Sequence, residues 1–384
     1  MMILLKFIFQ MDKKGVFMKI IQKKFDIQSI PYPVEKLADP GQILFLDIET
    51  TGFTAKNSYL YLIGCAYFSD NTWNLIQWFS EDYTCEKAIL EAFMNFAKDF
   101  KFLIHFNGNN FDLPFLTQKY IQYQIPFGFD DFEGLDIYRR ISPFKTFLKL
   151  PNCKQKTLEA FLGIGREDTF HGGELISVYH DYVKTPTEYA YDLLMLHNAE
   201  DMEGMLKLLP ILSYSDLFSQ DIVAKKVQAN YYKDFNDQTN QEIIMKLVLP
   251  SPLPKAISYF TNGCYFTGSG TDGSLKVPLY EEEMKYYYSN YNDYYYLPEE
   301  DIAMHKAVAS FVDKDYRRQA TASTCYTRKS SAFLPEWDAV FTPFFKRDFK
   351  SKNLFFELTD ELKTERSAFG KYAEHVLQMM AVTL

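Results

Sequence analysis

Two carboxylates occupy alternate positions of an apolar segment, Phe45-Leu-Asp-Ile-Glu-Thr-Thr-Gly52. The segment has the composition of a buried strand, and side chains two residues apart on a strand point to the same face. Asp47 and Glu49 are therefore predicted to share one face. Carboxylates held side by side in a sheet raise each other's pKa and resist desolvation, and a divalent cation would remove that cost. The segment predicts either a metal site or two acids exposed where a strand ends.

The composition indicates a globular protein with two domains. The chain has 384 residues, of which 47% are hydrophobic and 24% charged, enough for two separate cores. Its five cysteines are widely spaced and lack a C-x-x-C pair, which predicts neither a disulfide framework nor a zinc site and favours the reducing cytoplasm. No segment reaches the length of a membrane span, and the apolar amino terminus lacks a cleavage site. We therefore expect no membrane partner.

The net charge of −9 does not exclude a polyanionic partner, because the charge is unevenly distributed. Residues 305–352 carry ten basic and five acidic side chains, with aromatic residues between them. Basic and aromatic side chains together can neutralise phosphates and stack on bases. The alternative is a solvated surface over an aromatic core.

Alternating strand and helix patterns from residue 43 predict a mixed α/β sheet flanked by helices. The first three strands are separated by short turns and are expected to form an antiparallel meander. The predicted strands are 43–48, 60–68, 72–79, 102–106 and 135–138. The predicted helices are 86–100, 112–123 and 185–212.

The chain divides into three parts in this prediction. Residues 1–35 are an N-terminal extension; Met18 could serve as a natural start, so residues 1–17 are expected to carry no structural weight. An α/β domain over residues 36–213 follows, and then a smaller α+β domain over residues 214–384. In that last domain we expect a helix over residues 302–312. The tyrosine runs at 286–288 and 294–296 are predicted to be paired strands.

Two later segments supply further acids at strand and helix ends. Asn107-Gly-Asn-Asn-Phe-Asp112 places an acid after a strand, at the start of a predicted helix. His197 and Asp201 are four residues apart on the last helix of the domain, which separates them by only about 40° around the helix axis. They therefore face the same way. The alternatives are a helix cap for Asp112 and a solvated helix face for Asp201.

Taken in order, these motifs resemble the DEDD 3′ to 5′ exonucleases of the ribonuclease H-like superfamily. The matching motifs are Asp47-x-Glu49-Thr-Thr-Gly52, Asn107-Gly-x-x-Phe-Asp112 and Asp201. Lys156-Thr-Leu-Glu159, Leu162-Gly-Ile-Gly-Arg166 and Gly172-Gly-Glu174 look most like the bacterial YprB-like group. The motif resemblance covers residues 43–212 and implies a ribonuclease H-like mixed sheet there.

The resemblance implies that Asp47, Glu49, Asp112 and Asp201 bind two Mg²⁺ or Mn²⁺ ions. Hard divalent cations prefer oxygen ligands, and two ions about 3.5–4 Å apart can serve phosphodiester hydrolysis. The implied activity is 3′ to 5′ exonucleolytic hydrolysis of single-stranded nucleic acid. A structure-selective endonuclease and a catalytically silent nucleic-acid-binding module remain as alternatives.

The fifth catalytic position is predicted to be His197. In these exonucleases it is either Tyr four residues before the last Asp or His five residues before it. His197 combines the histidine identity with the tyrosine spacing. An imidazole with a pKa of about 6.5 can accept a proton from water as a general base. The alternative is a hydrogen-bonded core histidine.

Five further residues are assigned to substrate binding, although the two asparagines could instead shape their turn. They are Thr50, Asn107, Asn109, Arg317 and Arg318. The expected partner is single-stranded DNA or RNA; the choice depends on contacts to the 2′-hydroxyl that the sequence does not reveal. The sequence leaves open a helicase partner and the oligomeric state.

Overall fold

The computed structural model describes residues 6–11, 17–27, 29–168, 170, 172–218, 221–233 and 236–382. They form two compact units: the first lies within Met1–Ser215 and includes Ser251–Lys255, and the second comprises Asp216–Pro250 and Ala256–Leu384. The strands of the first unit are β1 Lys6–Met11, β2 Phe17–Lys24, β3 Ile43–Thr50, β4 Leu60–Ser69, β5 Thr72–Ser80, β6 Phe102–His105 and β7 Glu133–Asp136. Its helices are α1 Glu86–Ala97, α2 Asp112–Tyr123, α3 Ile137–Ile141, α4 Gln155–Leu162, α5 Gly172–Lys184 and α6 Glu188–Leu208, and α7 Ser213–Asp216 lies at the unit boundary.

Within the described residues, seven strands form one mixed sheet in the order β1-β2-β5-β4-β3-β6-β7. Strands β3, β4 and β5 pair antiparallel, which confirms the predicted meander. Strand β6 pairs parallel with β3 and with β7. The mixed α/β fold class predicted for this part of the chain is confirmed.

The two faces of the sheet are covered by different helices. Leu46 and Ile48 belong to the core formed with α1 and α2. Leu62 on β4 belongs to a separate core formed with α5 and α6. Glu49 pairs directly opposite Leu62, so Glu49 projects to the α5 and α6 face. Asp47, two residues earlier on β3, projects to that same face.

The amino-terminal segment corrects the prediction that residues 1–35 are an extension outside the domain. Strand β2 pairs antiparallel with β5, and β1 pairs with β2. Met18 and Ile20 alternate along β2 and are buried in the core that contains Trp78. This apolar face must be covered, which is why the segment adds strands to the sheet. Residues 1–5 and 12–16 lie outside the described residues.

The elements around the last predicted helix differ slightly from the prediction. Helix α6 begins at Glu188 because the hydroxyl of Thr187 accepts the backbone N–H of Ala190 at 3.3 Å. It ends at Leu208 and continues as a 3₁₀ turn to Leu212. Strand β7 ends at Asp136, and α3 follows directly.

The second unit is mainly β. Its described strands are β8 Val223–Lys233, β9 Thr239–Thr261, β10 Cys264–Tyr287, β11 Tyr294–Leu297, β12 Ile302–His305, β13 Arg318–Gln319, β14 Tyr326–Glu336, β15 Phe344–Phe345 and β16 Leu354–Glu357, except that Ser251–Lys255 of β9 are counted in the first unit. Its described helices are α8 Lys306–Ala309, α9 Asp360–Thr364 and α10 Arg366–Val382. These strands form a six-stranded sheet in the order β15-β16-β14-β10-β9-β8 and a three-stranded sheet in the order β12-β11-β13.

Of two predictions for this unit, one is wrong and one is confirmed. Residues 302–305 form a strand paired with β11, so the predicted helix over 302–312 is reduced to α8. The tyrosine runs lie in the paired strands β10 and β11, as predicted, but each pairs with another strand: Tyr286 lies opposite Thr327 and Tyr296 opposite Ala303. In both places a strand from elsewhere in the unit supplies the hydrogen bonds. In the part of the chain that the structure describes, no helix has the length and hydropathy needed to span a membrane.

Candidate active site

Asp112 is positioned by a backbone amide that the sheet leaves available. The parallel pairing of β3 with β6 runs from Ile43 to Phe45, and β3 continues beyond it. Asp112 is the first residue of α2, and its Oδ1 accepts a hydrogen bond from the backbone amide of Ile48 at 3.3 Å. The carboxylate of Asp112 therefore lies against the backbone between Asp47 and Glu49.

Asp47 is held by a chain of amide hydrogen bonds that begins in the sheet. Gln77 Nε2 donates to Asn198 Oδ1 at 2.9 Å, and Asn198 Nδ2 donates to Asp47 Oδ2 at 2.8 Å. Gly64 lies between Asp47 and Gln77 across the strands, and a Cβ atom there would be 2.0 Å from Asn198 Oδ1. Only glycine leaves room for the amide of Asn198 over β4.

The turn that leads to Asp112 is built on Asp136. Asp136 Oδ1 accepts the amide of Asn107 at 2.9 Å, and Oδ2 accepts that of Asn109 at 3.4 Å. The amide of Gly108 donates to His105 Nδ1 at 3.1 Å. Asn107 adopts a left-handed conformation, with φ of 61°. The backbone amides of Asn107 and Asn109 thus shape this turn. The substrate contacts predicted for these two residues would be made by their side chains.

His197 is 4% exposed and contacts carboxylates through both ring nitrogens. Its Nδ1 forms a hydrogen bond of 2.7 Å with Asp168 Oδ2. Its Nε2 lies 3.6 Å from Glu49 Oε1 and 3.3 Å from Asp201 Oδ2. The imidazole therefore joins an outer carboxylate to two of the predicted metal ligands.

Asp168 is itself fixed in place. Its carboxylate accepts the backbone N–H of Phe170 at 2.9 Å and Lys156 Nζ at 3.1 Å. Burial alone would raise the pKa of Asp168, but these hydrogen bonds and that from His197 hold it below its usual range. Asp168 is thus an anion at neutral pH.

Asp201 has a cationic partner. Arg166 Nη2 donates to Asp201 Oδ1 at 2.6 Å and to Glu159 Oε1 at 2.7 Å, while Arg166 Nε donates to the second oxygen of Glu159. Burial lowers the pKa of Arg166, but the two carboxylates outweigh this effect and raise it. Gly204 leaves room for the carboxylate of Glu159, because a Cβ atom at position 204 would be 2.1 Å from Glu159 Oε1.

The acids on the sheet carry strongly raised pKa values. Desolvation is the main cause for Asp47 and Glu49, followed by the charge of Asp201. Burial also raises the pKa of Asp112 to about 7, although its hydrogen bond from Ile48 opposes the shift. Holding these carboxylates ionised without a cation therefore costs free energy.

The donor set fits a divalent cation. Ligand atoms of Glu49, His197 and Asp201 all lie within 4.8 Å of one another. Carboxylate oxygens with one imidazole nitrogen suit ions that accept both hard and borderline ligands. A cation there would also offset the desolvation cost of Asp47 and Glu49.

The remaining substrate-binding assignments fall in different places. Thr50 is buried, and its hydroxyl donates to the carbonyl of Gly52 at 2.8 Å. Arg317 and Arg318 belong to the second unit, where their guanidinium groups lie 4.7 Å and 5.1 Å from the ring centroids of Tyr295 and Tyr296. The two arginines are thus part of a basic and aromatic surface around the three-stranded sheet.

Several residues of this site were not assigned a role from the sequence. Arg166 and Glu159 belong to the motifs that resemble the YprB-like group, and Asp136 is the last residue of β7. Gln77 and Gly64 carried a usable signal, because an amide and a glycine interrupt otherwise apolar strands. Asp168 carried none, since it lies in an irregular segment.

Comparison with known families bears on the first unit. Residues 44–213 match a family model described as RNase_H superfamily. The chain contains an RNase H-like domain. This RNase H-like domain includes β3 to β7, α1 to α6 and every acid described above. No curated protein matches the chain.

Solved structures resemble the chain at low sequence identity. The family B DNA polymerase from the hyperthermophilic archaeon Pyrobaculum calidifontis is 16% identical with a TM-score of 0.38, over 47% of this chain and 26% of that chain. E. coli exonuclease I in complex with a dT13 oligonucleotide is 13% identical with a TM-score of 0.26, over 54% of each chain. A product-bound structure of exonuclease I is 10% identical with a TM-score of 0.27, over 89% of this chain and 73% of that chain. The chain thus spans about a quarter of the polymerase and about half of the E. coli exonuclease.

Proposed function

We propose that the RNase H-like domain is a metal-dependent nuclease of the DEDD type, similar to the YprB-like group. It hydrolyses phosphodiester bonds of single-stranded nucleic acid from a 3′ end. The observation that carries this proposal is the proximity of four carboxylates. Asp47 and Glu49 share one face of β3, and Asp112 accepts the backbone amide of Ile48 between them. The charge of Asp201 raises the pKa of each of the other three. Three of them have strongly raised pKa values, which a bound cation would relieve.

Two Mg²⁺ or Mn²⁺ ions would be held by these four carboxylates. When bound, the ions would supply Lewis-acid stabilisation of the phosphate charge and a water of lowered pKa. The protein supplies the positions of the ligands: Asn198 orients Asp47, and the amide of Ile48 orients Asp112. His197 completes the catalytic set, because its Nε2 faces the carboxylates of Glu49 and Asp201.

Each unit carries residues that are proposed to bind substrate. Asn109 is exposed next to the turn that leads to Asp112. Arg317 and Arg318 lie against tyrosine rings, an arrangement that suits phosphate neutralisation beside base stacking. The proposed compartment is the cytoplasm, which fits the absence of disulfides among the described residues.

Cleavage of labelled single-stranded DNA and RNA with Mn²⁺ tests the proposal. The wild type and Asp47→Asn are compared with Asp192→Asn, the same substitution at an exposed position of α6. We expect the wild type and Asp192→Asn to cleave alike, and Asp47→Asn to lose at least about a hundredfold, as when one group that stabilises a transition state is removed.

A circular single strand separates the remaining functions. An exonuclease requires an end and leaves the circle intact, whereas an endonuclease opens it. Opening of the circle would contradict the exonuclease proposal. Equal cleavage by the wild type and Asp47→Asn would contradict the site itself, and binding without any cleavage would identify a silent module.

A further inference from the structure

The two nitrogens of His197 have different surroundings. Nδ1 is engaged by the carboxylate of Asp168 at 2.7 Å. Nε2 faces the carboxylates of Glu49 and Asp201, and its distances of 3.6 Å and 3.3 Å are longer than a well-formed hydrogen bond. The ring is 4% exposed, so its orientation is fixed by packing as well as by Asp168.

The anchoring of Asp168 does not depend on His197. Phe170 and Lys156 donate to its carboxylate, and its backbone N–H donates to Glu200 Oε2 at 2.9 Å. Glu200 lies on α6 three residues after His197, and it also accepts the amide of Glu167 at 2.8 Å. The segment that carries Asp168 is therefore tied to the helix that carries His197.

An imidazole that donates one N–H to a carboxylate and presents its other nitrogen to a cluster of ligands is the usual arrangement of a metal-binding histidine. Ligand atoms about 2.1 Å from a cation and at right angles around it are about 3.0 Å apart. The separations of Nε2 from Glu49 and Asp201 are close to that spacing.

We propose that His197 Nε2 is a direct ligand of a divalent cation shared with Glu49 and Asp201, and that Asp168 is its positioning residue. The inference rests on the proposed metal-dependent nuclease function. Imidazole binds transition-metal ions better than it binds Mg²⁺, and carboxylates accept both. This position therefore selects Mn²⁺ over Mg²⁺.

Electron paramagnetic resonance of Mn²⁺ bound to the full chain gives a readout that is independent of activity. A coordinated imidazole produces a ¹⁴N modulation in the electron spin echo, and carboxylate and water ligands do not. We expect this signal in the wild type and its isotope shift after labelling with [¹⁵N]histidine. Absence of this signal from the wild-type spectrum would overturn the proposal even if a variant fails to fold.

Variants assign the signal to one residue. We expect His197→Gln to lose the ¹⁴N signal and His180→Gln to keep it, because the ring of His180 pairs with the hydroxyl of Tyr83 and is not among the clustered ligand atoms. Asp168→Asn should keep the signal and bind Mn²⁺ about 10- to 100-fold more weakly, as when an outer partner of a ligating histidine is lost. Mg²⁺ should compete better with Mn²⁺ in His197→Gln than in the wild type.

Failure of this inference and failure of the proposed function are distinguishable. Mn²⁺ bound to a nuclease-active wild type without a ¹⁴N signal would overturn the ligand role of His197 and leave the nuclease in place. A ¹⁴N signal that disappears in His197→Gln, in a protein that cleaves no nucleic acid, would support the ligand role and overturn the nuclease. Equal Mn²⁺ affinity of the wild type and Asp168→Asn would overturn the positioning role of Asp168.

Discussion

The two halves of the candidate site hold their carboxylates by different means. In the sheet half, Asp47 and Asp112 accept hydrogen bonds from neutral amides. In the helix half, Asp201 accepts one from the guanidinium of Arg166, whose charge is shared with Glu159. A neutral donor orients a carboxylate without cancelling its charge, whereas a guanidinium orients the carboxylate and also neutralises its charge.

The two halves therefore have different roles within one cluster of carboxylates. The helix half is compensated by the protein's own cations and is stable as it stands. The sheet half keeps its negative charge at a cost, which is seen in the raised pKa values of Asp47 and Asp112. We infer that the sheet half provides the affinity for a cation, and that the helix half provides a fixed frame for it.

The largest effect should follow from breaking the compensated half. Glu159→Gln removes the main partner of Arg166. The side chains of Arg166 and Glu159 are both at least nine-tenths buried. Loss of one partner of a buried ion pair costs about 3–5 kcal/mol, so we expect the free energy of unfolding of the metal-free protein to fall by that amount. Denaturant titration measures it.

Glu203→Gln is the matched control for this prediction. Glu203 pairs with Lys207 at 2.6 Å on the half-exposed side of α6. An exposed pair of this spacing contributes at most about 0.5 kcal/mol. Similar losses in the two variants would show that Arg166 is not held as a buried ion.

Asp112→Asn should act with the opposite sign. The pKa of Asp112 is about 7 in the folded protein against an ordinary value of 3.8, so the folded state binds the proton more tightly than the unfolded state. The contribution of Asp112 to the free energy of unfolding should therefore fall as the pH rises from about 4 to about 7. Above that range, without metal, Asp112→Asn should be more stable than the wild type by about 2–4 kcal/mol.

Unfolding titrations of both proteins at pH 4 and pH 8 measure this crossover. Added Mn²⁺ should reverse the order at pH 8, because the cation stabilises the wild type and not the variant. Asp192→Asn, exposed on α6, should follow the wild type at both pH values. If Asp112→Asn gains no stability relative to the wild type between pH 4 and pH 8 without metal, the cost assigned to the sheet half is contradicted.

The smallest effect should come from Gly64→Ala, which alters the contact between Gly64 and Asn198 that aligns the two halves of the site. In Gly64→Ala the new methyl group meets Asn198 and displaces it from Asp47. Overpacking of this kind costs about 1–3 kcal/mol. We also expect weaker Mn²⁺ binding by calorimetry. Gly128→Ala is the control, because an added Cβ there has no atom within 4 Å; equal effects of the two changes would contradict this role of Gly64.

The sequence marks the acids of the site because each lies on a regular element. Alternation along β3 places Asp47 and Glu49 on one face, and the start of α2 places Asp112. One helical turn separates His197 from Asp201. In each case the relevant neighbours lie within a few residues, so local periodicity is sufficient.

The groups that hold these acids could not be predicted in this way. Asp168 contacts His197 from an irregular segment, and Asn198 meets Gln77 from a distant part of the chain. Such contacts depend on how α6 packs on the sheet, which no local pattern encodes. Periodicity also misled the prediction for residues 302–312, where the apolar spacing is helical but Phe311 is 91% exposed and residues 302–305 pair as a strand.

The hydrogen-bond chain from Gln77 through Asn198 to Asp47 fixes how α6 is aligned along the sheet. Sliding α6 by a single residue would move each side chain by about 1.5 Å and rotate it by about 100°, which would break both bonds of Asn198. The separation between the acids of β3 and those of α6 is therefore set by the spacing of the strands. Apart from the segment that carries Arg166 and Asp168, loops joining these elements can change in length and sequence without moving the acids, so we expect the domain to tolerate insertions there.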